Sequence, residues 1–213
     1  MFHDMQRVAK VVCVLGTALA VVSCGGSSTS FTDMWKDPSA SQFQFRKILA
    51  MVITADDSLR RAAEDQLAQH LGAKGAESVV SYSFISGEEI KNVETAKAKV
   101  KQQGLDGAVI MRVVGVQNTS SNSPGRYVAD PYAQNPYSPF WGYYSTAWPA
   151  VYESGYSDRH EVVRVETRIY SVPEEKMLWA GYSETVEPES VAGLIDEIAK
   201  AAAVELKKQK LIR

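Results

Sequence analysis

From residue 46 onward, apolar positions fall first into unbroken runs and then into helical repeats. Arg46–Thr54 contains the run Ile48-Leu49-Ala50-Met51-Val52-Ile53, and a strand apolar on both faces is a central strand covered on both sides. Asp56, Asp57 and Ser58 then offer cap oxygens and first-turn negative charge. Leu59, Ala63, Leu67 and Leu71 share one helical face, and Gly72 ends the repeat. Ala76–Ile85 reads as a second strand. Ser86 and Glu89 have capping-box spacing, with Asn92 as an alternative cap. Ile90, Val93, Ala96 and Val100 make the next helical face, stopped by Gly104, and Gly107–Val116 is a third, nearly all apolar strand.

The rhythm then changes. Val163, Val165, Thr167 and Ile169 alternate with Arg164, Glu166 and Arg168, the pattern of a strand with one wet face. Pro173-Glu174-Glu175 is a turn, and Lys176–Val186 returns as the hairpin partner. Val191, Leu194, Ile195, Ile198, Ala202 and Leu206 repeat at helical spacing, with Lys207, Lys208 and Lys210 at the C-terminal end, where cations are favoured. Strand-helix-strand-helix-strand, a hairpin and a final helix predict one α/β domain over 43–213, with a mixed sheet of roughly five strands and three helices.

The chain begins differently. Arg7 and Lys10 precede the apolar run Val11–Val22, which is too short to span a bilayer. A short apolar run behind basic residues is a secretory signal. It closes on Val21-Val22-Ser23-Cys24 and opens into Gly25-Gly26-Ser27-Ser28. This resembles the lipobox of bacterial lipoproteins. The resemblance implies cleavage after Ser23, removal of residues 1–23 and acylation of Cys24. Each buried acyl CH₂ contributes about 0.8 kcal/mol, so several chains together anchor firmly. Residues 24–42 then form a flexible tether, from which Phe31, Met34 and Trp35 stand out as residues foreign to a free linker. They dock on the domain edge, or Trp35 anchors a partner.

Between the third and fourth strands lies an insert, 119–159, holding 10 of the 20 aromatic residues and five of the eight prolines. Connections this long are uncommon in compact domains. Its aromatics lie against the domain, or contact a partner, or reach the headgroup region of a nearby membrane. The candidate partner-binding residues are Trp35, Tyr137, Phe140, Trp141, Tyr143, Tyr144 and Trp148. On that reading, deleting 127–156 leaves the domain folded.

Several segments together resemble a family of small bacterial outer-membrane lipoproteins of unassigned function. They are Thr32–Pro38, Asp57–Asp65, Gly107–Val114, Trp141–Tyr144 and Leu178–Thr185, with the lipobox. At fold level the chain is also similar to periplasmic lipoproteins of the curli-secretion and penicillin-binding-protein-activator types, which assemble with other envelope proteins. The resemblance implies a protein held by lipid on the periplasmic face of the outer membrane, since Gly-Gly rather than Asp follows Cys24.

Charge and composition narrow the function further. The chain has 23 basic and 25 acidic side chains; loss of Arg7, Lys10 and Asp4 would leave 21 against 24. Nucleic acid, which needs a basic face, is not an expected partner. Cys24 would be the only cysteine left, so no internal disulfide forms. No phosphate-cradling glycine loop or metal-spaced His/Cys motif is present, and no metal or cofactor is expected. His70 suits a helix C-terminus, and His160 beside Asp158 lacks a nucleophile motif. Arg164, Glu166 and Arg168 read as surface cross-strand pairs or a shallow anion site. The expected function is a non-enzymatic interaction or structural component of the envelope, with a carrier of an apolar or lipidic ligand, lidded by the insert, as the alternative.

Overall fold

The computed structural model describes residues 28–118, 139–147, 161–186, 188 and 190–212; Ser23, Cys24, Tyr137, Trp148 and His160 lie outside them. The described strands are β1 (Ser28–Lys36), β2 (Lys47–Ile53), β3 (Glu77–Val80), β4 (Gly107–Asn118), β5 (Glu161–Ser171) and β6 (Lys176–Val186). They form one sheet in the order β1-β6-β5-β4-β2-β3. β2 pairs in parallel with β3 and β4, and the remaining pairings are antiparallel. The helices are α1 (Asp57–Ala73), α2 (Val93–Gln102), α3 (Phe140–Ala147) and α4 (Val191–Lys208). The α/β class and mixed sheet are as expected, with one strand and one helix more. Among the described residues, no helix is long and apolar enough to cross a membrane.

Two cores flank the sheet, and β2 feeds both. Ile48, Ala50 and Val52 join α1 and α4 on one face; Leu49, Met51 and Ile53 join α2 and α3 on the other. This is the period-2 geometry of a fully buried strand. Leu67, Leu71, Ile198, Ala202 and Leu206 fill the first core, and Ile90, Ala96 and Val100 line the second.

Local chemistry sets the boundaries. Asp56 caps α1 by accepting from the Ser58 and Leu59 amides. Both candidate caps before α2 are used: Ser86 and Glu89 bond reciprocally across a short 3-10 turn, and Asn92 accepts from the Thr95 amide at the helix start. The second strand is shorter than its apolar pattern suggests. β3 stops at Val80 and a 3-10 turn, Ser81–Ser83, follows. There the Glu64 carboxylate takes the Tyr82 amide and the Ser81 hydroxyl, diverting the backbone from the ladder.

The stretch read as a tether is largely structured. Ser28–Lys36 is the edge strand β1, paired with β6, and Pro38–Gln42 is a 3-10 turn capped by Asp37. Phe31 packs edge-on against Trp179, with ring centroids 5.2 Å apart. Phe31 and Trp35 would share a face in a regular strand. A bulge between Phe31 and Met34 inserts one residue and reverses the alternation. Phe31 therefore packs on the first core and Trp35 on the second.

Candidate functional site

The face of β5 that carries Glu166 and Arg168 is not wet. Glu166 is 1% and Arg168 2% exposed, because α3, from inside the expected loop, covers that side. Arg112 of β4 lies opposite Glu166 in the β4–β5 register. Its Nη2 donates to Glu166 Oε2 at 3.1 Å, while Arg168 Nε and Nη2 reach Oε1 at 2.7 and 2.6 Å. The Tyr143 hydroxyl, from α3, donates to Oε2 at 2.7 Å, and Tyr182 OH to Oε1 at 3.3 Å. The Tyr143 ring also lies 4.1 Å from the Arg168 guanidinium carbon and 5.5 Å from that of Arg112, within cation–π range.

The cluster is a closed electrostatic latch. One carboxylate fills the space between two guanidiniums, so Glu166 and Arg168 form neither a surface pair nor a shallow anion site; Arg164 does keep the expected surface pairing, with Glu184 across the β5–β6 pair at 3.8 Å and with Asp33 at 2.7 Å. Burial pushes the Tyr143 phenol well above its ordinary range, and the nearby Glu166 carboxylate adds to the rise. Burial lowers the Arg168 pKa, but Glu166, Tyr143 and Tyr170 together more than offset it, and the net direction is upward. Tyr143 therefore stays a neutral donor and Arg168 stays charged. Sequence reasoning missed this site. Its signal was Arg112, a lone charge in an apolar strand.

α3 places the remaining predicted aromatics in the core. Phe140, Tyr143 and Tyr144 are fully buried and Trp141 is 8% exposed. Phe140 stacks near Tyr170 and Trp141, at 5.2 and 4.3 Å between centroids, and the Tyr144 hydroxyl donates to the Ile90 carbonyl. Lys97 of α2 lies over the Trp141 ring at 5.9 Å. Phe140, Trp141, Tyr143 and Tyr144 therefore lie against their own sheet, the first of the three readings of the insert, with little ring area left open. Trp35 is half-buried against the same core; it docks on the domain edge, and its neighbour Met34 is 50% exposed.

A second buried carboxylate, Glu64 of α1, accepts from the Val52 amide (3.1 Å), Ser81 Oγ (2.6 Å) and the Tyr82 amide (3.0 Å). Burial raises its pKa although all three donors pull it down. His70 Nε2 meets Asp196 Oδ1 at 2.7 Å and ties α1 to α4. One open cleft, about 450 Å³, is lined by Asp37, Pro139, Glu174, Glu175, Lys176 and Met177. Hydrogen bonds from Ser39 and then Lys176 hold the Asp37 carboxyl below its usual range. Among the described residues, no group of His, Cys, Asp and Glu is placed to hold a metal ion.

No family model and no curated protein matches the chain. Among solved structures it is similar to the PelC dodecamer from Paraburkholderia phytofirmans, with a TM-score of 0.45 and 14% identity over 87% of this chain and 99% of that one. A single-substitution variant of the same dodecamer gives 0.44 and 12%, over 83% and 96%.

Proposed function

We propose that this protein is a lipid-anchored component of the bacterial envelope that works by contact rather than catalysis. The observation carrying the proposal is the Val21-Val22-Ser23-Cys24 pattern at the end of a short apolar run, in the form that acylation requires. The fold supports it. The sheet begins at Ser28, only four residues past Cys24, so acyl chains on that sulfur would hold the whole domain near the bilayer. The use of ionisable groups supports the non-catalytic part. Glu166, Arg112 and Arg168 are locked together under α3, and Glu64 is spent on backbone and hydroxyl donors.

Fractionation of cells producing the full chain tests the anchor. The wild type is expected with the outer-membrane fraction and Cys24→Ser in the soluble one or retained as precursor. A mature-length Cys24→Ser chain that still fractionates with membranes would defeat the proposal.

A further inference from the structure

The structure fixes which part of the domain lies nearest Cys24. β1 starts at Ser28, opposite Val186, the last residue of β6. Four extended residues reach at most about 14 Å, so an anchor at Cys24 holds this end of the sheet close to the lipid. The attachment is firm: Thr29 Oγ1 donates to Glu197 Oε2 of α4 at 3.0 Å and lies 2.6 Å from Thr185 Oγ1. β4 and β6 run the same way and both finish here, whereas β2 stops earlier, with Ile53 level with Arg112 of β4. The far end, with the Glu174–Glu175 turn, is a full strand length away. β6 has 11 residues, about 35 Å at the usual rise.

Two exposed apolar side chains sit at the anchored end. Val186 is 48% exposed at the tip of β6, and Val191 is 38% exposed in the first turn of α4, reached by a short connection from it. Among the described residues, the other large exposed hydrophobics are elsewhere: Met34 on the outer edge strand and Val204 well along α4. A valine pair beside a lipid attachment point gains burial by resting on the bilayer surface.

We propose that the domain stands end-on, with Val186 and Val191 turned to the bilayer and the Glu174–Glu175 turn pointing away. This rests on the anchor reading above. The occupant of the valine patch is the phospholipid surface carrying the protein's own acyl chains.

The test uses full-length lipidated protein in vesicles of phosphatidylethanolamine and phosphatidylglycerol containing brominated lipid. A fluorophore is placed in turn on Val186→Cys, Val191→Cys, Met34→Cys, Val204→Cys and Glu174→Cys. Cys24 is acylated and does not compete for the label. For a face seated at the headgroup boundary, quenching at 186 and 191 should exceed that at the other three positions by at least about twofold. Equal quenching at all five, or strongest quenching at 34 or 204, would overturn the end-on orientation while leaving the anchor intact. A chain that fails to float with the vesicles defeats the anchor reading, and the orientation with it.

Discussion

Glu166 makes at least five polar contacts from a position 1% exposed, and removing its charge leaves two buried guanidiniums facing one another. Breaking a buried pair on one side typically costs about 3–5 kcal/mol. Glu166→Gln keeps the shape and should lower the urea-derived stability by roughly that amount; an unchanged midpoint would mean the cluster is not a latch. Glu89 offers a pH test. Lys99, together with the Ser86 amide and hydroxyl, holds its pKa at about 2, below the ordinary 4.5. A depressed carboxyl stabilises the fold above its unfolded pKa, and that contribution fades as pH falls from 4.5 toward 2. Thermal melts across that window should show a shallower acid loss in Glu89→Gln than in the wild type. At this scale the sequence was partly legible. Asp56, Ser86, Glu89 and Asn92 act as caps because capping depends on neighbours a few residues away. Arg112 was passed over, and Glu166 and Arg168 were misread, because their burial depends on Tyr143 of α3, more than 20 residues distant in the chain.

α3 and β1 are the two elements that periodicity failed to announce. Phe140–Ala147 is apolar nearly all round, so it shows no amphipathic stripe, and proline-rich sequence flanks it. Its burial means that deleting 127–156 would strip one core of Phe140, Tyr143 and Tyr144, contrary to the expectation of an unaffected domain. Phe140→Ala should cost about 3–5 kcal/mol. A loss below about 1 kcal/mol in chemical denaturation would show that α3 does not seal that face. β1 was hidden by its polar residues and by the bulge, which breaks the two-residue alternation between Phe31 and Trp35. Its docking depends on Gly181, where an added Cβ would lie 2.4 Å from Trp179 Cη2 and 3.1 Å from Phe31 Cδ1. Overpacking of this kind costs about 1–3 kcal/mol, so Gly181→Ala should lower the melting temperature and raise amide exchange along Phe31–Lys36. Unaltered exchange there would count against this account of how the edge strand is held.

At the scale of the molecule, the α/β order was legible because β2, β4, α1 and α4 each carry an uninterrupted pattern of their own. The sheet edge and the closed second face were not, since both are made by segments whose composition reads as linker. The same correction changes the picture of the anchor: with β1 in the sheet, only a few residues separate Cys24 from the folded body. The proposed role therefore depends on the chemistry at one sulfur. The most direct measurement is the intact mass of the mature protein and of its N-terminal peptide, purified in detergent from the envelope. The account predicts a chain starting at Cys24, heavier than its amino-acid composition by a diacylglyceryl group and an N-linked fatty acid. An unmodified Cys24 within a mature or full-length chain would contradict it.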